Sequence, residues 1–462
     1  MSSAIYELTL EVDVFVERKE PMKKYKKYNI DATEENIKKT IMENKYDRAK
    51  SIKSFIEGLD LIEDNAFISL DAKWGQGKTF YIRQIEMTLK YLSRKSAGQD
   101  ISDLEEVFSG SILENMSLEK TYLPIYYNSW LYDNHNDPLM SLIYVIVKEC
   151  EKHVETTINS KSLGDKLGTL LSSFSLSFPK LQISGDAEKI KESLMGRDLL
   201  KEIKTAEEIR GLVKEIFDSV IVESAQKLVI FIDELDRCKP SYAIELLERI
   251  KHYFDDERIV FVVAVNKEQL VHTISSYYGD AFDSTGYLNK FFDINIYLPE
   301  IPRYINNSIF VTNDRQYWVR RIVEELIEYY NLSLRDTILF LQDMEATSKE
   351  YYSDSTRNGC VLSFFVPVIL ILERVNQALK KDFLEGRGKV FDELCKNVPS
   401  IYELLLKFGN RERNENERYS QGFNCFLRIY EGTFKGNLSS EETSIEQYRL
   451  KELCMRVCNG ER

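Results

Sequence analysis

Apolar and polar residues at the start of the chain alternate with a period of two. Over residues 4–17, Tyr6, Leu8, Leu10, Val12, Val14 and Val16 oppose Glu7, Thr9, Glu11, Asp13 and Glu17, the pattern of a half-buried strand. The period then changes. Residues 33–43 and 47–58 predict helices, and "NAFISLDA" (65–72) predicts a strand buried on both faces. "TFYIRQIEMTLKYL" (79–92) places Ile82, Ile85, Leu89 and Leu92 on one helical face. "TYLPIYYNSW" (121–130) predicts a second strand, and residues 138–155 another helix. Residues 156–187 are rich in Ser, Gly and Thr and predict a polar insertion. Helix resumes at Thr205, an N-cap with Glu208 three residues on. "LVIFID" (228–233) and "IVFVVAV" (259–265) predict buried strands separated by a helix at 241–254, and "DINIYLP" (293–299) closes the sheet. From about residue 316 to 462 helical patterns dominate, with breaks near 359, 386, 410 and 436. The apolar run at 361–372 contains Ser363 and Pro367 and is too short to span a bilayer. It predicts a buried helix that Pro367 starts or kinks.

Strands alternating with helices imply an α/β fold, a parallel sheet flanked by helices, followed by an all-α C-terminal region. The expected divisions are an N-terminal strand and basic loop (1–44, with "KKYKKY" at 23–28), an α/β domain (45–300) and a helical lid and C-terminal domain (301–462).

Between the first core strand and its helix lies "KWGQGKTF" (73–80). The order strand, Gly-rich loop, Gly-Lys-Thr, helix is that of a phosphate-binding loop, whose pattern is G-x-x-x-x-G-K-[ST]. Trp74, Gly75, Gln76, Gly77, Lys78, Thr79 and Phe80 form the expected nucleotide-binding set. Gly75 and Gly77 would let the backbone turn at positive φ and approach phosphate. Lys78 would reach the β- and γ-phosphates, and the Thr79 hydroxyl would join a Mg²⁺ shell. One position departs from the pattern, since Ala72 stands where the first glycine is expected. The second half of the site is "LVIFIDELDRC" (228–238), where a buried strand runs into Asp233 and Glu234. Adjacent acids at such a place are costly unless a cation or ligand uses them. Asp233 is the expected Mg²⁺ ligand, and Glu234 the group that polarises the attacking water. Asn266 follows the strand 259–265 and could align that water. "NKEQ" (266–269) resembles a guanine-reading motif, but Gln269 lacks the carboxylate that would accept two hydrogen bonds from guanine. ATP is therefore expected rather than GTP.

Composition narrows the class. The chain has 462 residues and a net charge of −13, which argues against a generic nucleic-acid coat. Its seven cysteines are scattered without a CxxC pair, as buried thiols of a reducing cytoplasm would be. The first twenty residues carry no apolar signal-peptide core, and no membrane span is expected.

These stretches, in order, resemble the KAP P-loop NTPases, a branch of the additional-strand ATPases. "NKYDRAKSIKSFI" (44–56), "KWGQGKTF" (73–80), "IYYNSWLYDNHNDPLMSLI" (125–143), "FIDELDRCKP" (231–240), "VVAVNKEQLVHTISSYYG" (262–279) and "YLNKFFDINIYLP" (287–299) carry the resemblance. It implies ATP hydrolysis with Mg²⁺, and the strand 259–265 lying between the loop strand and the acidic strand. It implies that Asp236 and Arg237 either tie the sensor region to a neighbour or form a structural salt bridge. Lys290 matches a basic position that could act as a finger on the γ-phosphate, in cis or from a neighbouring subunit. Arg335 sits where a lid helix of related ATPases carries a phosphate sensor. Asn128 and Trp130 are expected to shape the sheet edge rather than to do chemistry. The implied role is a molecular switch or assembly factor for a protein effector, with a homo-oligomer and anti-phage defence as the setting. Two other roles stand beside it: a nucleic-acid sensor or motor, drawing on "KKYKK" and arginines such as Arg320 and Arg321, and a catalytically weak ATP-binding scaffold.

Overall fold

Five parallel strands form one sheet in the order β2-β3-β4-β1-β5. They are β1 (Ala66–Asp71), β2 (Tyr122–Asn128), β3 (Lys227–Asp233), β4 (Ile259–Val265) and β5 (Ile294–Tyr297). The computed structural model describes residues 31–153, 225–299, 317–347, 357–409 and 414–435, apart from Lys45 and Asn136, with isolated residues between 210 and 218. The alternating segment 4–17, the basic loop 23–28, the polar insertion 156–187 and most of the helix expected from Thr205 lie outside the described residues. The chain divides into two compact units. Residues 31–305 form one, and the described residues from 317 onward belong to the other.

In the first unit the strands are apolar at successive positions because helices cover both faces of the sheet. On one face Ile125 and Tyr127 of β2, Ile230 and Ile232 of β3, and Phe261 and Val263 of β4 share a core with three helices. These are α6 (Pro138–His153), α7 (Pro240–Tyr253) and α8 (Lys267–Tyr278). On the other face Ile68 and Leu70 of β1, Phe231 of β3, and Val260 and Val262 of β4 pack against α1 (Glu34–Met42), α2 (Ala49–Asp60) and α3 (Lys78–Ser96). Short helices α4 (Glu105–Phe108), α5 (Ser129–Tyr132) and α9 (Ser284–Asn289) complete the unit. The register aligns the strand ends. Asp71 lies opposite Val265, Ile232 opposite Val263, and Asn128 opposite Asp233. Residues leaving β1, β2, β3 and β4 therefore converge at the carboxyl edge of the sheet, where open α/β sheets hold ligands.

The second unit consists, among its described residues, of helices α10 (Tyr317–Tyr329), α11 (Leu334–Ala346), α12 (Arg357–Val375), α13 (Gln377–Leu384), α14 (Lys389–Asn397), α15 (Pro399–Phe408) and α16 (Glu415–Phe434). Residues 359–372 of α12 are buried at every position, so it is the central helix of the unit. Phe364 and Phe365 meet Phe383, Phe391, Phe426, Tyr430 and Phe434 ring to ring. The sequence expectation is corrected here. Pro367 does not start this helix but lies inside it, while the helix itself opens at Arg357, near the break expected at 359. Burial on all sides outweighs the backbone hydrogen bond that proline removes. No described helix is long and apolar enough to cross a membrane.

Gly422 of α16 packs directly on α15. A Cβ there would lie 1.9 Å from the Leu405 carbonyl oxygen, and backbone cannot yield as a flexible side chain can. Gly422→Ala is expected to destabilise the helical unit by about 1–3 kcal/mol through overpacking. Hydrogen–deuterium exchange should show faster exchange in α15 and α16 and unchanged protection in β1, β3 and β4; unchanged exchange in α15 and α16 would contradict this contact.

Candidate active site

Strand β1 ends at Asp71, and the chain then turns through Gly75 at φ 78° and Gly77 at φ 84°. Both lie in the left-handed region that the loop pattern reserves for glycine. Gly77 is the N-cap of α3, so Lys78 and Thr79 open a helix 19 residues long. Ala72 needs no such freedom. It continues the ladder, its N–H donating to the Val265 carbonyl at 3.1 Å, and it is not among the positive-φ residues. A small side chain in ordinary extended backbone serves where the pattern writes glycine.

The loop is held from behind by Arg48, a buried residue at the N-cap of α2. Its Nη1 and Nη2 donate to the carbonyls of Gly77 and Gln76, each at 3.0 Å. The guanidinium also lies 5.4 Å from the centroid of the Tyr81 ring. Burial pulls the Arg48 pKa down to about 10, which leaves it charged at neutral pH. Asn44, Tyr46 and Asp47, just ahead of it, take positive φ, an uncommon backbone for such residues. With the loop carbonyls turned toward Arg48, its N–H groups are left for an anion at the start of α3.

Lys78 is nine-tenths buried, and its Nζ donates to the carbonyls of Ala72 at 2.5 Å and Lys73 at 3.3 Å. Burial lowers its pKa, opposed by the charges of Asp236, Asp233 and Asp71. Asp233 is 1% exposed. Its carboxylate accepts hydrogen bonds from Tyr126 Oη at 3.0 Å and from the Glu234 N–H at 2.9 Å, and the nearby Thr79 hydroxyl also favours its charged form. Even so, burial and the neighbouring Glu234 charge push the Asp233 pKa up to about 6. Glu234 follows at φ 59°, a strained backbone for a non-glycine residue. Its Oε2 accepts from Asn128 Nδ2 at 3.1 Å, and its Oε1 pairs with Arg237 at 2.9 Å.

Asp236, also buried, accepts from Trp74 Nε1 at 2.5 Å and from the Asn266 N–H at 3.1 Å. It therefore ties the phosphate loop to the exit of β4. Asp236 bonds the residue that follows β4, and Arg237 makes a salt bridge to Glu234. Asn266 caps α8, its Oδ1 accepting from the Gln269 N–H at 3.3 Å.

One edge thus gathers Trp74 to Thr79, Asp233, Glu234, Asp236 and Asn266. Phe80, half-buried, packs into the core beneath. Lys290 is elsewhere. It ends α9 ahead of β5, and the next residues enter the sheet beside the start of β1, where the Asp293 N–H donates to the Phe67 carbonyl. Among the described residues no hydrogen bond or ion pair joins Lys290 to the loop, and its neighbour Asn289 accepts from Lys267 Nζ at 3.4 Å. Arg335 is an exposed residue of α11 in the helical unit. Three contributors escaped the sequence reading. Arg48 and Tyr126 lie in stretches that carry the resemblance, which implies no role for either, and Asn128 touches Glu234 directly rather than only shaping the sheet edge. The alternation in "IYYN" could have placed Tyr126 and Asn128 on one face of β2, the loop side.

The family model described as "KAP family P-loop domain" matches residues 32–328. No curated protein matches the chain. Among solved structures it is similar to one titled "Structure of the Aeropyrum Pernix ORC2 protein (ADPNP-ADP complexes)", at 11% identity over 92% of this chain and 94% of that one. The TM-score is 0.27, a likeness too distant to carry inference. The extent of the family match makes the conclusion plain: the chain belongs to the KAP family of P-loop domains.

The raised Asp233 pKa makes a prediction about stability. Between about pH 4 and 6 the folded chain keeps a proton that the unfolded chain releases, so this group's contribution falls as pH rises through that window. Above about pH 6 the full penalty of a buried ionised carboxylate is present. Without nucleotide or divalent cation, Asp233→Asn should be more stable than the parent at pH 8, by about 1–3 kcal/mol. Thermal melting should show that gap closing toward pH 5. An Asn variant less stable at pH 8, or a gap independent of pH, would contradict the burial penalty.

Proposed function

We propose that this KAP-family P-loop chain binds Mg²⁺–ATP at the carboxyl edge of its sheet, hydrolyses it, and uses the cycle as a switch or assembly step for a protein effector. The observation that carries the reading is the meeting of Lys78 and Thr79 with Asp233 and Glu234, about 155 residues apart in the chain. The phosphates would lie against the N-terminus of α3, facing loop N–H groups and Lys78. The residues present fit Mg²⁺. The Thr79 hydroxyl and the Asp233 carboxylate are hard oxygen donors that lie near one another, and Mg²⁺ is commonly held by one or two carboxylates together with substrate phosphates. When bound, the ion offsets charge on the transferring phosphoryl group. Glu234 would take up the proton of the attacking water. Tyr126 and the Glu234 N–H hold Asp233 in place, and Asp236 fixes Trp74 and so the outer face of the loop.

Lys290 is proposed as a finger on the γ-phosphate, in cis or from a neighbouring subunit, and a homo-oligomer is part of the proposal. Arg335 is proposed as a phosphate sensor carried by the helical unit. Arg320 and Arg321, on which a nucleic-acid groove would draw, pair with Glu324, Glu325 and Glu403, which favours a protein effector. The family resemblance extends the proposal to a cytoplasmic setting and anti-phage defence.

Lys78→Ala should abolish ATP binding by calorimetry, and unchanged affinity would sink the site. Glu234→Gln should bind ATP as the parent does and lose turnover by ~10²–10⁴-fold, because glutamine keeps the shape but cannot accept the proton. Parental turnover in that variant would assign the water to another group.

A further inference from the structure

The Glu234 carboxylate has a partner on each oxygen. Asn128 Nδ2 donates to Oε2 at 3.1 Å, and the Arg237 guanidinium sits 2.9 Å from Oε1. Arg237 in turn lies over the Trp130 ring, 5.5 Å from its centroid. The geometry follows from the short 3-10 turn Leu235–Arg237, which swings the third residue back beside Glu234. The two arms differ in how firmly they are held. Asn128 is fixed by β2 and also caps α5, accepting from the Trp130 N–H at 3.1 Å. Trp130 is 51% exposed and the Arg237 side chain 35% exposed, so this arm faces solvent. An ion pair this open is weak and readily exchanged.

A carboxylate ion-paired through one oxygen and accepting an amide bond on the other is turned toward its partners and offers little to a water. We propose that Arg237, steadied by Trp130, is a positioning residue that restrains Glu234 and holds basal ATP turnover below what the site can reach. Breaking the Arg237–Glu234 pair frees one oxygen to accept the water's proton, with Asn128 still orienting the other. The hydrolysis itself is unchanged: water adds to the γ-phosphorus, the bond to the ADP oxygen breaks, and Glu234 takes the proton. This inference rests on the reading of Glu234 as the group that activates the water.

Steady-state turnover should be measured for Arg237→Ala, Arg237→Lys, Trp130→Ala, Glu234→Gln and the double variant Arg237→Ala/Glu234→Gln, with kcat and KM for ATP resolved separately. Arg237→Ala is expected to raise kcat about three- to tenfold with KM unchanged. Trp130→Ala should give a smaller rise. Arg237→Lys should fall between parent and Ala, because lysine keeps the charge but loses the planar fork and the stack. On the Glu234→Gln background, Arg237→Ala should change nothing, since it acts through Glu234. A fall or no change in kcat for Arg237→Ala, or a rise that persists on the Glu234→Gln background, would overturn the proposal. A raised KM would instead make Arg237 a phosphate contact and overturn it as well. Parental turnover in Glu234→Gln alone would overturn the reading of Glu234, an outcome separate from the others. If Arg237→Ala melts early, Trp130→Ala decides, because its side chain is half in solvent; unchanged kcat there counts against the restraint.

Discussion

The approach of Thr79 to Asp233 is the constraint on which the site depends. It brings the first turn of α3 to the last residue of β3, and it spans a sheet in which β4 lies between the two parent strands. Such an approach is made only if β1, β4 and β3 are parallel and in register, so that all three chains leave by the same edge. The apolar cores on both faces secure that register, because a one-residue slip would exchange the residues of one face for those of the other. With the register secured, Lys78, Asp233 and Asp236 are buried together, and Arg48 is buried behind the loop. Isolated, each would be expensive to bury; grouped, each has hydrogen bonds or an opposite charge.

Backbone strain gathers where ligand chemistry is proposed. Glu234 and the turn of Asn44, Tyr46 and Asp47 hold positive φ without glycine, and both flank the phosphate loop. The Arg48 Nε is buried without a hydrogen-bond partner although both terminal nitrogens are engaged. These are features that surrounding structure has to enforce, and they are expected where a site must be shaped in advance of its ligand.

Much of this architecture was legible in the sequence because buried parallel strands leave uninterrupted apolar runs. "LVIFID" and "IVFVVAV" match β3 and β4 nearly to the residue, and the phosphate loop was readable from Gly75, Gly77, Lys78 and Thr79. The place of β4 between β1 and β3 came from the family resemblance rather than from periodicity. Contacts between residues far apart in sequence left no local signal. Arg48 reaches Gly77 from 29 positions away, and Asn128 reaches Glu234 from 106, so spacing rules could not pair them. The helical unit misled where local propensity and burial disagree. Pro367 read as a residue that starts or kinks the helix, yet it lies well inside α12, whose burial on all sides dominates.

The central claim is that Thr79 and Asp233 together form the Mg²⁺-dependent part of an ATP site. The most direct measurement is calorimetric titration with a non-hydrolysable ATP analogue, in Mg²⁺ and in EDTA, for the parent, Thr79→Ala and Asp233→Asn. The account predicts that Mg²⁺ tightens binding to the parent by about tenfold or more, and that both variants lose most of that gain while still binding the analogue through Lys78 and the loop N–H groups. Equal affinity of the parent in Mg²⁺ and EDTA, or a full Mg²⁺ gain retained by both variants, would contradict it.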